Sequence, residues 1–136
     1  MKQLRTGITA GEVMNKDFLI VDSSLPLIQC VKGIKKGDEA CLVMKNGYFS
    51  GVLGHDEILR GFVYGKDVDA NIDEIKIERN YVVVSPESDI HETIMLMNDW
   101  NVDFAVVKRN DRYIGLITKK EIADVEPLLF EEMIYS

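Results

Sequence analysis

The residues with the clearest capacity for chemistry lie in one short segment, Thr118-Lys119-Lys120-Glu121. The segment joins an apolar run that predicts a strand to a stretch that predicts a helix, and the start of a helix favours negative charge. A hydroxyl, exposed N–H groups and ammonium groups suit a phosphate, whereas a carboxylate that accepts two hydroxyl hydrogens suits a ribose diol. Because a spacing of three places Glu121 on the same helix face as Thr118, the segment is either a nucleotide clamp or a capping box.

A related segment occurs earlier in the chain, as part of an internal repeat. The residues from Gly51 to Ile58 return 64 positions later as those from Gly115 to Ile122. Apolar residues at helical spacing and a strand-like run return at an offset of 63 positions: Leu27, Val31 and Ile34 as Ile90, Ile94 and Met97, and residues 41–45 as residues 104–108. Such a repeat predicts two copies of one structural unit and two related sites.

Apolar periodicity and turn signals predict the order β-α-β-β-α in each repeat, an α/β (α+β) fold. Asn46-Gly47 and the residues after Arg109 are predicted turns, and Thr118 and either Ser88 or Asp89 are predicted helix caps. The predicted strands cover residues 18–21, 40–44, 48–53, 81–84, 103–107 and 113–117, and the predicted helices cover residues 26–37, 55–64, 89–100 and 118–125.

Composition and charge exclude several classes of function. The 136 residues have a net charge of −7, which opposes binding to nucleic acid or to an anionic membrane. No stretch has the length of a membrane span, and no signal peptide is evident, which predicts a soluble cytoplasmic protein.

Cys30 and Cys41 lie in apolar surroundings without C-x-x-C spacing, so we expect buried reduced thiols. His55 and His91 have no cysteine or acidic partner at the spacing of metal ligands, so we do not expect a metal site. No catalytic motif occurs, so we do not expect an enzyme.

The duplicated order, together with the element Gly-h-h-Thr/Ser-x-x-Asp/Glu after the third strand (h, apolar), resembles a tandem pair of cystathionine-β-synthase (CBS) domains, or Bateman module. The leading segment Gly11-Glu12-Val13-Met14 is similar to the family's opening motif. The resemblance covers residues from about Thr9 to Val125. It divides the chain into repeat one at residues 8–65, an acidic linker at 66–74, repeat two at 75–126 and a C-terminal tail at 127–136.

The resemblance implies two repeats packed sheet to sheet about a pseudo-two-fold axis, and a non-catalytic sensor of AMP, ADP, ATP or S-adenosylmethionine. It also implies a homodimer that regulates a separate effector protein. Carried over by position, Thr118 contacts phosphate or ribose, Glu121 contacts the ribose hydroxyls, and Lys119 lies beside the phosphate. The base pocket is then lined by the backbone near Tyr81, Val82, Asp103, Phe104 and Ala105.

Repeat one departs from the family pattern. Gly54 replaces the hydroxyl residue, while His55 and Asp56 replace the two lysines of repeat two. Glu57, like Glu121, stands where the family usually has Asp. We therefore expect one working site in repeat two, and a weak or empty second site at Gly54, His55 and Glu57. Two alternatives stay open: a ligand-free interaction scaffold of the same fold, and a tandem ACT-type module that binds amino acids.

Overall fold

The computed structural model describes residues 7–35, 39–75, 77 and 79–125. The predicted tail at 127–136 lies outside the described residues. The described helices are α1 (Ala10–Val13), α2 (Ile28–Lys35), α3 (His55–Val63), a 3-10 turn (Ile72–Glu74), α4 (Ile90–Trp100) and α5 (residues 119–125). The strands are β1 (Leu19–Asp22), β2 (Ala40–Lys45), β3 (Tyr48–Gly54), β4 (Tyr81–Val84), β5 (Phe104–Arg109) and β6 (Arg112–Ile117). No helix in these ranges is long and apolar enough to cross a bilayer.

Two three-stranded sheets confirm the predicted fold class. The strand orders are β1-β2-β3 and β4-β5-β6, with a parallel first pair and an antiparallel second pair in each sheet. The hairpin turns are formed where the sequence predicts them, because Asn46, Gly47, Asn110 and Asp111 all adopt the positive φ that such turns require. The two hairpins even share an irregularity, since the register shifts after Val43 and after Val107.

Each sheet packs against helices to form its own apolar core. The core around the first sheet includes Val21, Leu27, Val43, Leu53 and Ile58. The core around the second sheet includes Val82, Val84, Ile90, Val107 and Ile117. Two helix starts follow the predicted chemistry: the Asp89 carboxylate accepts hydrogen bonds from the N–H groups of His91 and Glu92 at the start of α4, and the Thr118 hydroxyl accepts one at the start of α5.

The compact units divide the chain differently from the sequence repeats. One unit consists of the residues from Phe18 to Asn80, and the other joins the residues up to Asp17 to those from Tyr81 onward. The N–H of Ala10 donates to Ser88 at 2.8 Å, and the N–H of Asn15 donates to Leu116 at 2.9 Å. The start of the chain therefore belongs to the same folded unit as the second repeat.

The predicted acidic linker is anchored by an apolar side chain. Its carboxylates are exposed, but Ile72 lies fully buried in the core of the first sheet's unit. The Ile72 N–H donates to the Leu25 carbonyl at 2.9 Å, and the Leu27 N–H donates to the Ala70 carbonyl at 2.7 Å. Residues 66–74 are thus part of the folded unit that contains β1, β2 and β3.

The prediction of reduced thiols is wrong, because Cys30 and Cys41 form a disulfide. The linear spacing gave no sign of it. α2 packs on β2, however, and this brings the two Cα atoms to 6.3 Å, within the range that a disulfide spans. Both cysteines are fully buried, as the sequence predicts.

Candidate functional site

The strand topology brings the predicted site residues of the second repeat to one edge of the sheet. Tyr81 and Phe104 begin two parallel strands and are direct neighbours in the register, followed by the pair Val82 and Ala105. β6 runs in the opposite direction, so Ile117 lies beside Ala105 and Thr118 follows at that same edge. Separate parts of the sequence therefore meet at what we call the Thr118 edge: residues 81–82, 103–105 and 118–121.

The Thr118 edge combines buried residues with a charged rim. Thr118 is only 3% exposed, and Val82, Phe104 and Ala105 are also buried. Tyr81 and Glu121 are partly exposed, whereas Asp103, Lys119 and Lys120 are exposed. Val82 and Ala105 pack in the apolar core of the unit, and the rim supplies groups that hydrogen-bond.

Thr118 and Glu121 form the capping box that the sequence allowed. The Thr118 N–H donates to Glu121 Oε1 at 2.8 Å, and the Thr118 hydroxyl donates to the same oxygen at 2.9 Å. The Lys120 N–H donates to Thr118 Oγ1 at 3.2 Å. Among the described residues no hydrogen bond reaches Glu121 Oε2, so this oxygen can accept hydrogens from a ligand while the box stays intact.

An ion pair lies on the rim of the same edge. Lys119 Nζ is 3.3 Å from Asp103 Oδ1, with the side chains 78% and 50% exposed. The pair joins the start of β5 to the start of α5. The family resemblance placed Asp103 at the base pocket and Lys119 beside the phosphate. The structure instead brings the two side chains together.

The equivalent position in the first repeat is built differently. Glu57 Oε2 accepts a hydrogen bond from the Gly54 N–H at 3.0 Å, and Glu57 Oε1 accepts one from the Asn80 amide at 2.5 Å. Asn80 also donates to the Val52 carbonyl at 2.9 Å, and Arg60 lies 3.7 Å from Glu57 Oε1. Glu57 is 5% exposed, so both its oxygens are occupied inside the protein. His55 begins α3 and is exposed.

Sequence reasoning missed Asn80 and Arg60. Asn80 lies just before β4, and nothing in its local sequence indicates a contact 23 residues away. Arg60 follows Glu57 by three residues, which is the spacing of an ion pair on a helix, and this signal was available.

A shallow apolar groove lies on the helical side of the first unit. Its volume is about 260 Å³, and its lining is formed by Val31, Ile34, His55, Ile58, Leu59 and Phe62. Leu59 is 59% exposed, and the neighbouring Val63 is 80% exposed. Large apolar side chains that face solvent along a groove are typical of a protein contact surface.

Comparison with known protein families assigns the chain to one family. The family model of the CBS domain matches it twice, at residues 10–64 and 72–127. The chain therefore belongs to the CBS domain family and contains two copies of that domain. This assignment replaces the ACT-type alternative, and the three strands in each sheet agree with it. No curated protein matched the sequence.

Solved structures share the same fold at low sequence identity. An uncharacterised conserved protein from Pyrococcus horikoshii has a TM-score of 0.78 at 16% identity, covering 90% of this chain and 95% of its own. The CBS domain pair of protein MJ0100, solved with 5′-methylthioadenosine and S-adenosyl-L-methionine, has a TM-score of 0.74 at 17% identity, covering 87% and 98%. A hexameric CBS-CP12 protein from bloom-forming cyanobacteria has a TM-score of 0.73 at 21% identity, covering 85% and 66%.

Proposed function

We propose that this protein is a non-catalytic regulatory module that binds an adenine-containing ligand at the Thr118 edge. The observation that carries the proposal is the meeting of Tyr81, Asp103, Thr118 and Glu121 at one end of a sheet. The ligands in the MJ0100 structure support an adenosine compound as the ligand class. Candidates are AMP, ADP, ATP and S-adenosylmethionine.

The proposal includes one working site per chain. Glu121 keeps an oxygen that can accept ribose hydrogens, whereas both oxygens of Glu57 are bonded to the protein. Gly54 supplies no hydroxyl at the place of Thr118. A ligand at the first repeat would have to displace the amide of Asn80 from a buried carboxylate, which costs about 1–3 kcal/mol for each lost bond.

The regulatory action is proposed to pass through a homodimer in the cytoplasm. The apolar groove along α3 supports a second copy of this chain as its occupant, because exposed apolar side chains gain most from a matching apolar surface. A ligand biases such an assembly only through different affinities for two arrangements, which a separate effector protein would read.

A ligand-free scaffold is the competing function, and one observation favours it. The capping box already satisfies Thr118 and one Glu121 oxygen, so the helix start is stable without any ligand. In that case the fold would serve only as an interaction surface.

Calorimetric titration with AMP, ADP, ATP, S-adenosylmethionine and 5′-methylthioadenosine tests the proposed function. We expect one site per chain, weakened about tenfold or more in Thr118→Ala, because the variant loses the hydroxyl and loosens Glu121. Thr118→Ser keeps the hydroxyl and should keep the affinity. Asp89→Ala, which removes the cap of α4 at the opposite end of the same sheet, should lower stability without weakening binding. If no compound gives heat with nucleotide-free protein, the scaffold is the better account.

A further inference from the structure

The ion pair between Asp103 and Lys119 bears on what the Thr118 edge can bind. Lys119 would be the natural partner of a ligand phosphate at this position. Its Nζ instead lies 3.3 Å from Asp103 Oδ1. A phosphate that approached Lys119 would have to replace this carboxylate or lie beside it, and two anions repel each other at such distances.

The start of α5 is also occupied by a negative group of the protein itself. The N–H and the hydroxyl of Thr118 both donate to Glu121 Oε1, and the N–H of Lys120 donates to the Thr118 hydroxyl oxygen. These are the donors that would otherwise cradle a phosphate. Glu121 therefore takes the place of an external anion at this helix start.

The local charges do not restore an attraction for phosphate. Asp103 and Glu121 offset the two lysines, Lys119 and Lys120, so the Thr118 edge has no net positive charge. The whole chain adds a net charge of −7. A phosphate monoester brings a charge of about −1.5 to −2 at neutral pH. A ribose diol and a base need no such charge, and the diol can still use Glu121 Oε2.

We infer that the Thr118 edge selects adenosine compounds with no phosphate at the 5′ position, and that Asp103 is the residue that sets this selectivity. The inference rests on the proposed function, because it concerns the same edge. The chemical class is an adenosine whose 5′ substituent is neutral or cationic, such as a thioether or a sulfonium. Asp103 acts by holding Lys119 and by repelling the phosphate.

Titration of the full chain with 5′-methylthioadenosine, S-adenosylmethionine, AMP and ATP tests this inference. The wild type should bind the first two about tenfold more tightly than AMP or ATP. Asp103→Asn should raise the affinity for AMP relative to that for 5′-methylthioadenosine by about two- to fivefold, which is the scale of an exposed charge pair. The gain for AMP should shrink at high salt, because salt screens exposed charges.

Asp111→Asn is the matched control. Asp111 forms a similar exposed pair with Lys108 at 3.7 Å, in the hairpin turn at the opposite end of the same sheet. It should leave all four affinities unchanged. If the wild type prefers AMP or ATP, or if Asp103→Asn alters AMP and 5′-methylthioadenosine equally, the selectivity inference is wrong while the binding function stands. If none of the four compounds binds, the proposed function and this inference both fail.

Discussion

Glu57 and Glu121 show how one residue type at equivalent positions can have two different roles. Both accept a hydrogen bond from the backbone three residues earlier. Glu57 is buried and also bonded to Asn80, whereas Glu121 is partly exposed and shares its bonded oxygen with the Thr118 hydroxyl. The first is a structural group within the core of its unit, and the second remains open to a ligand.

Asn80 should be a stability residue of the first unit. Asn80→Ala removes the amide that donates to both Val52 and Glu57, and leaves a buried carboxylate with one donor fewer. We expect the free energy of unfolding to fall by about 2 kcal/mol, measured by chemical denaturation. The control is Asn98→Ala on the exposed face of α4, which should change it by less than about 0.5 kcal/mol. Equal effects of the two substitutions would show that the Asn80 bonds contribute nothing.

The residues of the Thr118 edge were predictable only in part. Thr118 and Glu121 stand in a short motif at capping-box spacing, and both lie where that motif indicates. The pairing of Asp103 with Lys119 was not predicted, because it depends on how the start of one strand faces the start of a helix 16 positions away in sequence. Sequence periodicity reports the face of an element and not its distant partners.

Among the elements, α2 and β2 are joined by the covalent bond between Cys30 and Cys41. The bridge closes a segment with a sequence separation of 11 residues, and it holds the helix against the strand. A bond of this kind restricts the unfolded chain and so raises the free energy of unfolding.

We expect the oxidised protein to be about 2–4 kcal/mol more stable than the protein treated with a dithiol reductant, as measured by chemical denaturation. The double variant Cys30→Ala, Cys41→Ala should show no dependence on reductant. Two reactive thiols per chain in the denatured, untreated protein would contradict the bridge. The disulfide argues against the proposed cytoplasmic location, because reducing compartments disfavour disulfides.

The order of the strands and of the longer helices was well predicted because several boundaries have a local physical cause, whereas α1 and the 3-10 turn were not predicted. Asn46-Gly47 forms its turn because both residues tolerate positive φ, and Asp89 begins α4 because its carboxylate accepts free N–H groups. The anchoring of Ile72 was not predicted, since four acidic residues around it suggested a solvated linker. A single apolar residue in a polar stretch gives too little periodicity to be assigned to a core.

For the whole molecule, the exposed apolar side chains of α3 lead to a prediction about self-association. Leu59→Glu places a charge where the second copy would contact the groove, and we expect the dimer dissociation constant to rise about tenfold or more. Sedimentation velocity over a range of concentrations measures it. Tyr48→Glu is the control, because Tyr48 is 78% exposed at the start of β3 and does not line the groove. A wild type that stays monomeric at all concentrations would contradict the dimer.

The contacts of the first residues with the second repeat determine which fragments of the chain can fold. Met14 fills the space beside Gly115, where even a methyl group would collide with its side chain. The sequence repeat and the compact folded unit therefore have different boundaries, because the segment up to Asp17 precedes the first sheet in sequence but packs with the second repeat. Cutting the chain between the repeats would not yield two autonomous halves, because the later half would lack a piece of its own core. The two CBS domains of this chain thus cannot be separated into single folded domains by one cut between the repeats.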